Sequence, residues 1–190
     1  MPQPRIAKLR PEQLDDEQRA VYDAIAGGPR ANGPQLFRLR DDDGGLEGPF
    51  NAFLLQPRLG LPLQELGSAV RYRTALSDRA REIAILVVSR HWESSFEQYA
   101  HEAVGRHVGL TEDELTGLRE KRYDALPADE RLVAETTQRL CSDGDLDDAA
   151  YADAVAALGE DGLFELLTLV GYYAALALQL RVFRVAAPDA

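Results

Sequence analysis

Four polar residues between positions 82 and 101 have the types and the spacing that proton-transfer chemistry requires: Glu82, Ser94, Glu97 and His101. Glu97 and His101 lie four residues apart, and Ser94 lies three residues before Glu97, so a helix through this segment places all three side chains on one face. A carboxylate beside an imidazole in a partly dry cleft shifts both pKa values toward neutrality. Such a pair can take a proton from a carbon or oxygen acid and return it.

Glu82 interrupts an apolar run that continues through Ile83, Ile85 and Leu86. A carboxylate that is buried in such a run needs a partner, and we predict that His101 from the following antiparallel helix supplies it.

Simpler interpretations of these residues are also open. Ser94-x-x-Glu97 has the spacing of a capping box, in which Glu97 would only close the N-terminus of its helix. His101 by itself is more often a structural histidine than a catalyst, and Glu82 would face solvent if its helix were rotated.

The sequence argues against a metal centre and against thiol chemistry. Its only histidines are His91, His101 and His107, and offsets of ten and six residues do not stack them on one helix face. Cys141 is the single cysteine, so neither an intramolecular disulfide nor a C-x-x-C pair can form. We expect Cys141 to be an inert apolar filler in a protein of the reducing cytoplasm, without a metal or other cofactor.

The composition is that of a soluble domain and disfavours two classes of partner. The chain has 190 residues, 45% of them hydrophobic, and a net charge of −11 from 21 basic and 32 acidic residues. Nucleic acid is not expected, because the basic residues are interleaved with acids rather than clustered. A membrane is not expected either. Residues 1–18 lack the apolar core of a signal peptide, and the most apolar stretch, 166–180, is shorter than the roughly 20 residues of a spanning helix.

Helix signals cover most of the chain and predict an all-α protein. Acidic or hydroxyl caps, periodic apolar residues and terminal glycines predict a first helix that ends at Gly27. They predict further helices over residues 59–75, 78–91, 94–108, a short helix after Thr111, and helices over 129–140, 147–158 and 162–185. Residues 36–50 alternate around an Asp- and Gly-rich turn, which predicts a small N-terminal β-hairpin or an ordered loop.

Several segments resemble a known family. Residues 81–86 (REIAIL), followed after a short joint by residues 96–101 (FEQYAH), resemble the carboxymuconolactone decarboxylase and alkyl hydroperoxidase D superfamily. The signature of that superfamily is a glutamate in an apolar helix and a histidine one helix later. Residues 48–51, 72–109 and 167–173 are similar to a subgroup that has no redox chemistry, so the resemblance covers most of the chain.

The resemblance implies an alkyl hydroperoxidase D-like helical bundle. We expect a single domain over residues 1–190, with an N-terminal extension at 1–47, the carboxymuconolactone decarboxylase-like core at 48–125 and C-terminal helices at 126–190 that complete the bundle.

The superfamily pattern also bears on the chemistry of the site. In its peroxidase branch, a C-x-x-C pair lies between the glutamate and the histidine, and the histidine relays protons to the thiols. Ser94 and Glu97 stand at the two thiol positions here, so dithiol–disulfide exchange is lost. Glu82 and His101 keep the proton-relay positions. The resemblance therefore implies cofactor-free acid–base chemistry of the decarboxylase type.

The resulting hypothesis is a lyase or isomerase that acts on a small unsaturated carboxylate or lactone. His101 would be the general acid or base, Glu97 its partner, Glu82 the buried carboxylate that orients the imidazole, and Ser94 a hydrogen-bonding group for the substrate. Alternatives are a peroxidase-related antioxidant protein and a non-catalytic helical binding or assembly protein.

Two expectations concern partners. An anionic substrate calls for a nearby cation, for which Arg73, Arg90 and Arg106 are candidates. The resemblance implies a homotrimer or homohexamer, and residues 163–180 are compatible with this because they are apolar nearly all round a helix.

Overall fold

The computed structural model describes residues 3–188, whose regular secondary structure is almost entirely α-helical. The helices are α1 (Asp16–Ala26), α2 (Pro29–Asn32), α3 (Pro49–Phe53), α4 (Pro57–Tyr72), α5 (Asp78–His91), α6 (Ser95–His107), α7 (Glu112–Glu120), α8 (Ala128–Asp143) and α9 (Asp148–Phe183). A 3-10 turn over Pro11–Gln13 precedes α1. The predicted all-α class is confirmed.

Local capping chemistry determines where several helices begin, as the sequence predicts. At the start of α1, Asp15 and Gln18 form a reciprocal capping box. The Ser77 side chain caps α5, and Thr111 forms a second capping box with Glu114 at α7. Each cap satisfies backbone N–H groups that the first turn of a helix cannot pair internally.

The possible N-terminal hairpin is reduced to a tight turn. Arg40 and Leu46 form one antiparallel bridge, and the Asp41 carboxylate accepts hydrogen bonds from backbone N–H groups within the turn. Gly44 supplies the positive φ of 82° that the turn needs. Leu39 and Leu46 are buried in the helical core. Packing against helices, rather than a ladder of strand hydrogen bonds, therefore holds this segment.

The predicted break between the last two helices occurs at Gly159, although α9 spans both. Gly159 has φ 72° and ψ 168°, which interrupts the helix at that point. α9 contains an 18-residue window with a mean hydropathy of 1.6, long and apolar enough to cross a membrane, and 44% of that window is buried within the protein. The apolar part of α9 is therefore longer than the stretch 166–180 identified from the sequence. The core helices of soluble proteins can also be this long and this apolar.

α5 packs against four other helices, α6, α7, α8 and α9. Residues 80–89 are buried without interruption, so Glu82 has no solvent-facing side available to it. The joint between α5 and α6 spans only three residues, and within it Glu93 has a left-handed φ of 54°. This tight reversal brings α6 back against α5, and it places the two segments with site candidates in contact.

Candidate active site

Glu82 on α5 and His101 on α6 form a buried pair. Glu82 Oε2 lies 2.6 Å from His101 Nδ1. The two residues are 0% and 7% exposed. The structure thus brings together the residues that the sequence predicts as partners. A carboxylate at Nδ1 holds the imidazole in one orientation and favours a proton on that nitrogen.

Two guanidinium groups also lie near Glu82. Arg71 Nη1 is 3.6 Å and Arg81 Nε is 4.0 Å from Glu82 Oε1. Burial alone would raise the pKa of the Glu82 carboxyl, but the charge and hydrogen bond of His101, together with the two guanidinium groups, hold that pKa below its ordinary value. Glu82 is therefore an ionised carboxylate at neutral pH.

Glu97 is a buried carboxyl group in the opposite protonation state. It is 2% exposed, and neither carboxyl oxygen has a hydrogen-bond partner within residues 3–188. Burial raises the pKa of the Glu97 carboxyl to about 8. Glu97 therefore keeps its proton at neutral pH, one helical turn away from His101.

The capping-box interpretation of Ser94 and Glu97 is wrong. Ser94 is the N-cap residue of α6, but over the described part of the chain its side chain makes no cap hydrogen bond, and Glu97 does not reach back to it in the reciprocal bond. The rotation of α6 that places His101 against Glu82 also turns Glu97 into the interior, because Glu97 and His101 share one face of α6. The hydrogen bond to His101 Nδ1 comes from Glu82 rather than Glu97, and the role of Glu97 as the catalytic partner of His101 stays a prediction.

Glu97 and His101 line the same small cavity, whose volume is about 30 Å³. Arg71 contributes a third polar group, and the remaining walls include five aromatic side chains: Phe37, Phe50, Phe96, Tyr172 and Tyr173. The Tyr173 ring meets the His101 ring edge to face, with centroids 5.1 Å apart. We refer to this space as the inner cavity. The inner cavity therefore brings the neutral Glu97 carboxyl and the His101 imidazole to one small space with largely apolar walls.

Ser94 lies outside the inner cavity. It is buried at the N-terminus of α6 and borders a separate cavity of about 200 Å³ with Arg181 and Arg184. The structure thus places Ser94 on a different cavity from His101, and its contact with a substrate stays a prediction.

Cys141 does not line the inner cavity. Cys141 is half-buried on α8, and burial raises the pKa of its thiol to about 11, which agrees with an inert filler. Within residues 3–188, no cluster of three or more His, Cys, Asp or Glu side chains has an arrangement that could hold a metal ion.

Arg71 is a site residue that the sequence analysis missed. Of the three cations it suggested, Arg90 and Arg106 bind groups on α7, and Arg73 is exposed at the end of α4. The Arg71 side chain, by contrast, is only 14% exposed and forms part of the inner cavity wall. A signal was present: positions 60, 64 and 67 of α4 form a buried stripe, and position 71 continues it at helical spacing.

The fold is of the alkylhydroperoxidase AhpD class. An uncharacterized peroxidase-related protein from Ralstonia eutropha JMP134, an alkylhydroperoxidase AhpD core, superposes with a TM-score of 0.77 and 13% sequence identity, and the match covers 100% of this chain and 94% of that chain. An uncharacterized peroxidase-related protein from Silicibacter sp. TM1040 superposes with a TM-score of 0.76 and 12% identity over 98% and 92% of the two chains. The predicted alkyl hydroperoxidase D-like bundle is confirmed.

A third similar structure is that of an enzyme with a named activity. A cysteine-to-alanine variant of the debrominase Bmp8, in complex with 2,3,4-tribromopyrrole, superposes with a TM-score of 0.72 and 11% identity over 97% of this chain and 91% of that one. No protein-family model and no curated protein sequence matches this chain. At such low identities, the structural likeness establishes the fold.

Proposed function

We propose that this protein is a cofactor-independent acid–base enzyme of carboxymuconolactone decarboxylase type, a lyase or isomerase for a small unsaturated carboxylate or lactone. One observation carries the proposal: Glu97, whose carboxyl keeps its proton, and His101, whose Nδ1 is held by Glu82, line the same cavity. A protonated carboxyl and an imidazole held by an ionised carboxylate are the two partners that a proton shuttle needs. The superfamily resemblance of residues 81–101 supports the same reaction class.

In this mechanism His101 moves a proton through Nε2 while Glu82 holds Nδ1. Removal of a proton, or loss of carbon dioxide, leaves an electron pair on a carbon that is conjugated with the substrate carbonyl. Glu97 then gives its proton to a carbon of the conjugated system. In an isomerisation the proton that His101 took at Nε2 passes back to the Glu97 carboxylate, and in a decarboxylation, where His101 takes none, a proton from solvent restores Glu97. The aromatic walls strengthen these electrostatic interactions, because apolar side chains give the cavity a lower effective dielectric constant than water. Glu82 acts as a positioning residue, since it contacts the imidazole rather than the cavity.

Solvent deuterium exchange tests the proposed function without knowledge of the natural substrate. We expect the protein to catalyse deuterium incorporation into α-angelica lactone or vinylacetate in D₂O, followed by proton NMR. Glu97→Gln and His101→Asn should each slow the exchange by roughly 10²- to 10⁴-fold, the usual contribution of a general acid or base. Cys141→Ser is the matched control and should react at the wild-type rate. Exchange at undiminished rates in both site variants would refute the assignment.

A peroxidase-related role is the second candidate, because two of the similar structures are of peroxidase-related proteins. The sequence holds only one cysteine, and that thiol lies on α8 rather than at the positions of Ser94 and Glu97. Peroxide consumption by the purified protein that survives Cys141→Ser would favour this candidate.

We also propose that the chain forms a homotrimer or homohexamer through α9. Exposed apolar residues recur on α9 with spacings of three and four, as a helix that packs on another copy requires: Phe164, Leu167, Leu178 and Val182. We expect Leu167→Asp to sediment as a monomer of 21.0 kDa while the wild type sediments as the oligomer. Tyr151→Asp alters an exposed apolar residue of α9 before the break at Gly159 and should leave the oligomer intact. A monomeric wild type at micromolar concentration would contradict the proposal.

A further inference from the structure

A second cavity adjoins the inner cavity. Its volume is about 320 Å³, and it lies between residues 33–39 and the helices α4, α5 and α6. Phe37 and Arg71 line both cavities, so the two spaces are neighbours and share these side chains. We call the larger space the outer cavity. Its size falls at the lower end of the range for small-molecule sites, roughly 300–1,000 Å³.

Phe37 is the apolar side chain that the two cavities share. It is partly buried, and its ring packs edge to face on Phe96 with centroids 6.5 Å apart. It belongs to a segment outside helices and strands, which rests on the helical core through Leu39. The inner cavity of about 30 Å³ accepts only roughly one or two groups of water size. The inner cavity is therefore too small for a whole ligand, whereas the neighbouring outer cavity is large enough to hold the body of one.

The outer cavity carries buried positive charge. Arg71 and Arg81 both line it, with side chains 14% and 10% exposed, and the Nε of Arg81 has no hydrogen-bond acceptor among residues 3–188. Glu82 is the buried carboxylate that faces both guanidinium groups, and Asp78, which binds Arg81, is itself largely exposed to solvent. Two buried cations thus face one buried anion, while Asp78, which also lines the outer cavity, balances part of the Arg81 charge from the solvent side.

We propose that the outer cavity is an anion site, in which Arg71 and Arg81 bind a carboxylate of the ligand. This inference rests on the proposed function, since it identifies how the ligand of that site is held. A planar carboxylate matches the fork of a guanidinium group, and such charge-assisted hydrogen bonds are the stronger kind. With the carboxylate held at Arg71, the group that reacts lies toward the inner cavity, because Arg71 belongs to both walls.

Binding of benzoate and benzamide to the purified full-length protein tests the anion site. The two probes have nearly the same shape and differ in charge, and isothermal titration in low-chloride buffer measures both. We expect benzoate to bind at least about tenfold more tightly than benzamide, because only benzoate offers a charged acceptor to the arginines. Arg71→Lys and Arg81→Gln should each weaken benzoate binding at least about tenfold. Arg73→Gln is the matched control and should bind benzoate as the wild type does, because Arg73 is an exposed arginine directly after the end of α4, two residues from Arg71.

Equal affinity for benzoate and benzamide would overturn the anion site, as would unchanged benzoate binding in Arg71→Lys and Arg81→Gln. Circular dichroism checks the fold of each variant, and if Arg71→Lys does not fold, the Arg81→Gln result decides the matter. Failure of this inference is distinguishable from failure of the proposed function. Deuterium exchange that depends on His101, without selective benzoate binding, would reject the anion site alone. Selective benzoate binding, without exchange that depends on His101 and Glu97, would reject the chemistry alone.

Discussion

Raising the pH from 5 to 9 is expected to destabilise the wild-type protein by about 4 kcal/mol relative to Glu97→Gln. The Glu97 carboxyl has a pKa of about 8 in the folded protein, against an ordinary value of 4.5. Between those two values the folded state holds a proton that the unfolded state has lost. The stability that protonated Glu97 contributes is thus fully present below pH 4.5, and it is lost as the pH rises through the folded pKa of about 8. Glutamine cannot ionise, so the variant keeps its stability over this range.

Urea unfolding at intervals between pH 5 and pH 9 measures this effect. Glu102→Gln is the matched control on the same helix. The Glu102 carboxyl is paired with Arg119, which holds its pKa below the ordinary value, so its titration falls outside the tested range. The stability of Glu102→Gln should follow the wild-type pH dependence. Parallel curves for wild type and Glu97→Gln would mean that Glu97 is ionised in the fold, and the proposed proton donor would be lost.

Glu82→Gln is expected to reduce the free energy of unfolding by about 3 to 5 kcal/mol at pH 7, as removal of one partner from a buried ion pair does. The substitution preserves shape but leaves the buried Arg71 and Arg81 side chains without the carboxylate that faces them. Because the pKa of Glu82 is lowered in the fold, this contribution is present above the ordinary value of 4.5 and is lost as the pH falls through the folded pKa. The difference between variant and wild type should therefore narrow below pH 4.5.

Glu165→Gln is the control for Glu82→Gln. Glu165 on α9 also precedes an apolar run, but its carboxylate accepts hydrogen bonds from the backbone N–H groups of Ala75 and Leu76. Glutamine keeps an acceptor oxygen there, so we expect a loss near 1 kcal/mol. A double-mutant cycle with His101→Asn then isolates the Glu82–His101 interaction. A loss below about 1 kcal/mol for Glu82→Gln, with additive effects in the cycle, would show that the pair does not hold the site together.

The two stability measurements also discriminate between function and folding. A residue whose role is purely structural should stabilise the folded protein, whereas residues needed for function often reduce its stability. Glu97→Gln is expected to gain stability at high pH and to lose deuterium exchange. Glu82→Gln is expected to lose stability, in keeping with its role as the residue that positions His101.

Local chemistry explains which features of this protein were predictable from sequence. Asp15, Ser77 and Thr111 satisfy backbone groups of their own helices, so the start of each helix depends on adjacent residues alone. The Glu82–His101 pair is predictable for a related reason. A buried acid needs a partner, and a three-residue joint leaves α6 no course except back along α5.

Only the tertiary structure decided how the rest of the site is assembled. Glu97 has a local capping option, and the rotation of α6 against α5 overrides it. Arg71, Phe37 and Tyr173 come from α4, the 33–39 segment and α9, which are distant from α6 in sequence. Their convergence depends on the angle and rotation at which separate helices pack. Many residues across the core determine that packing together, and no short stretch of sequence encodes it.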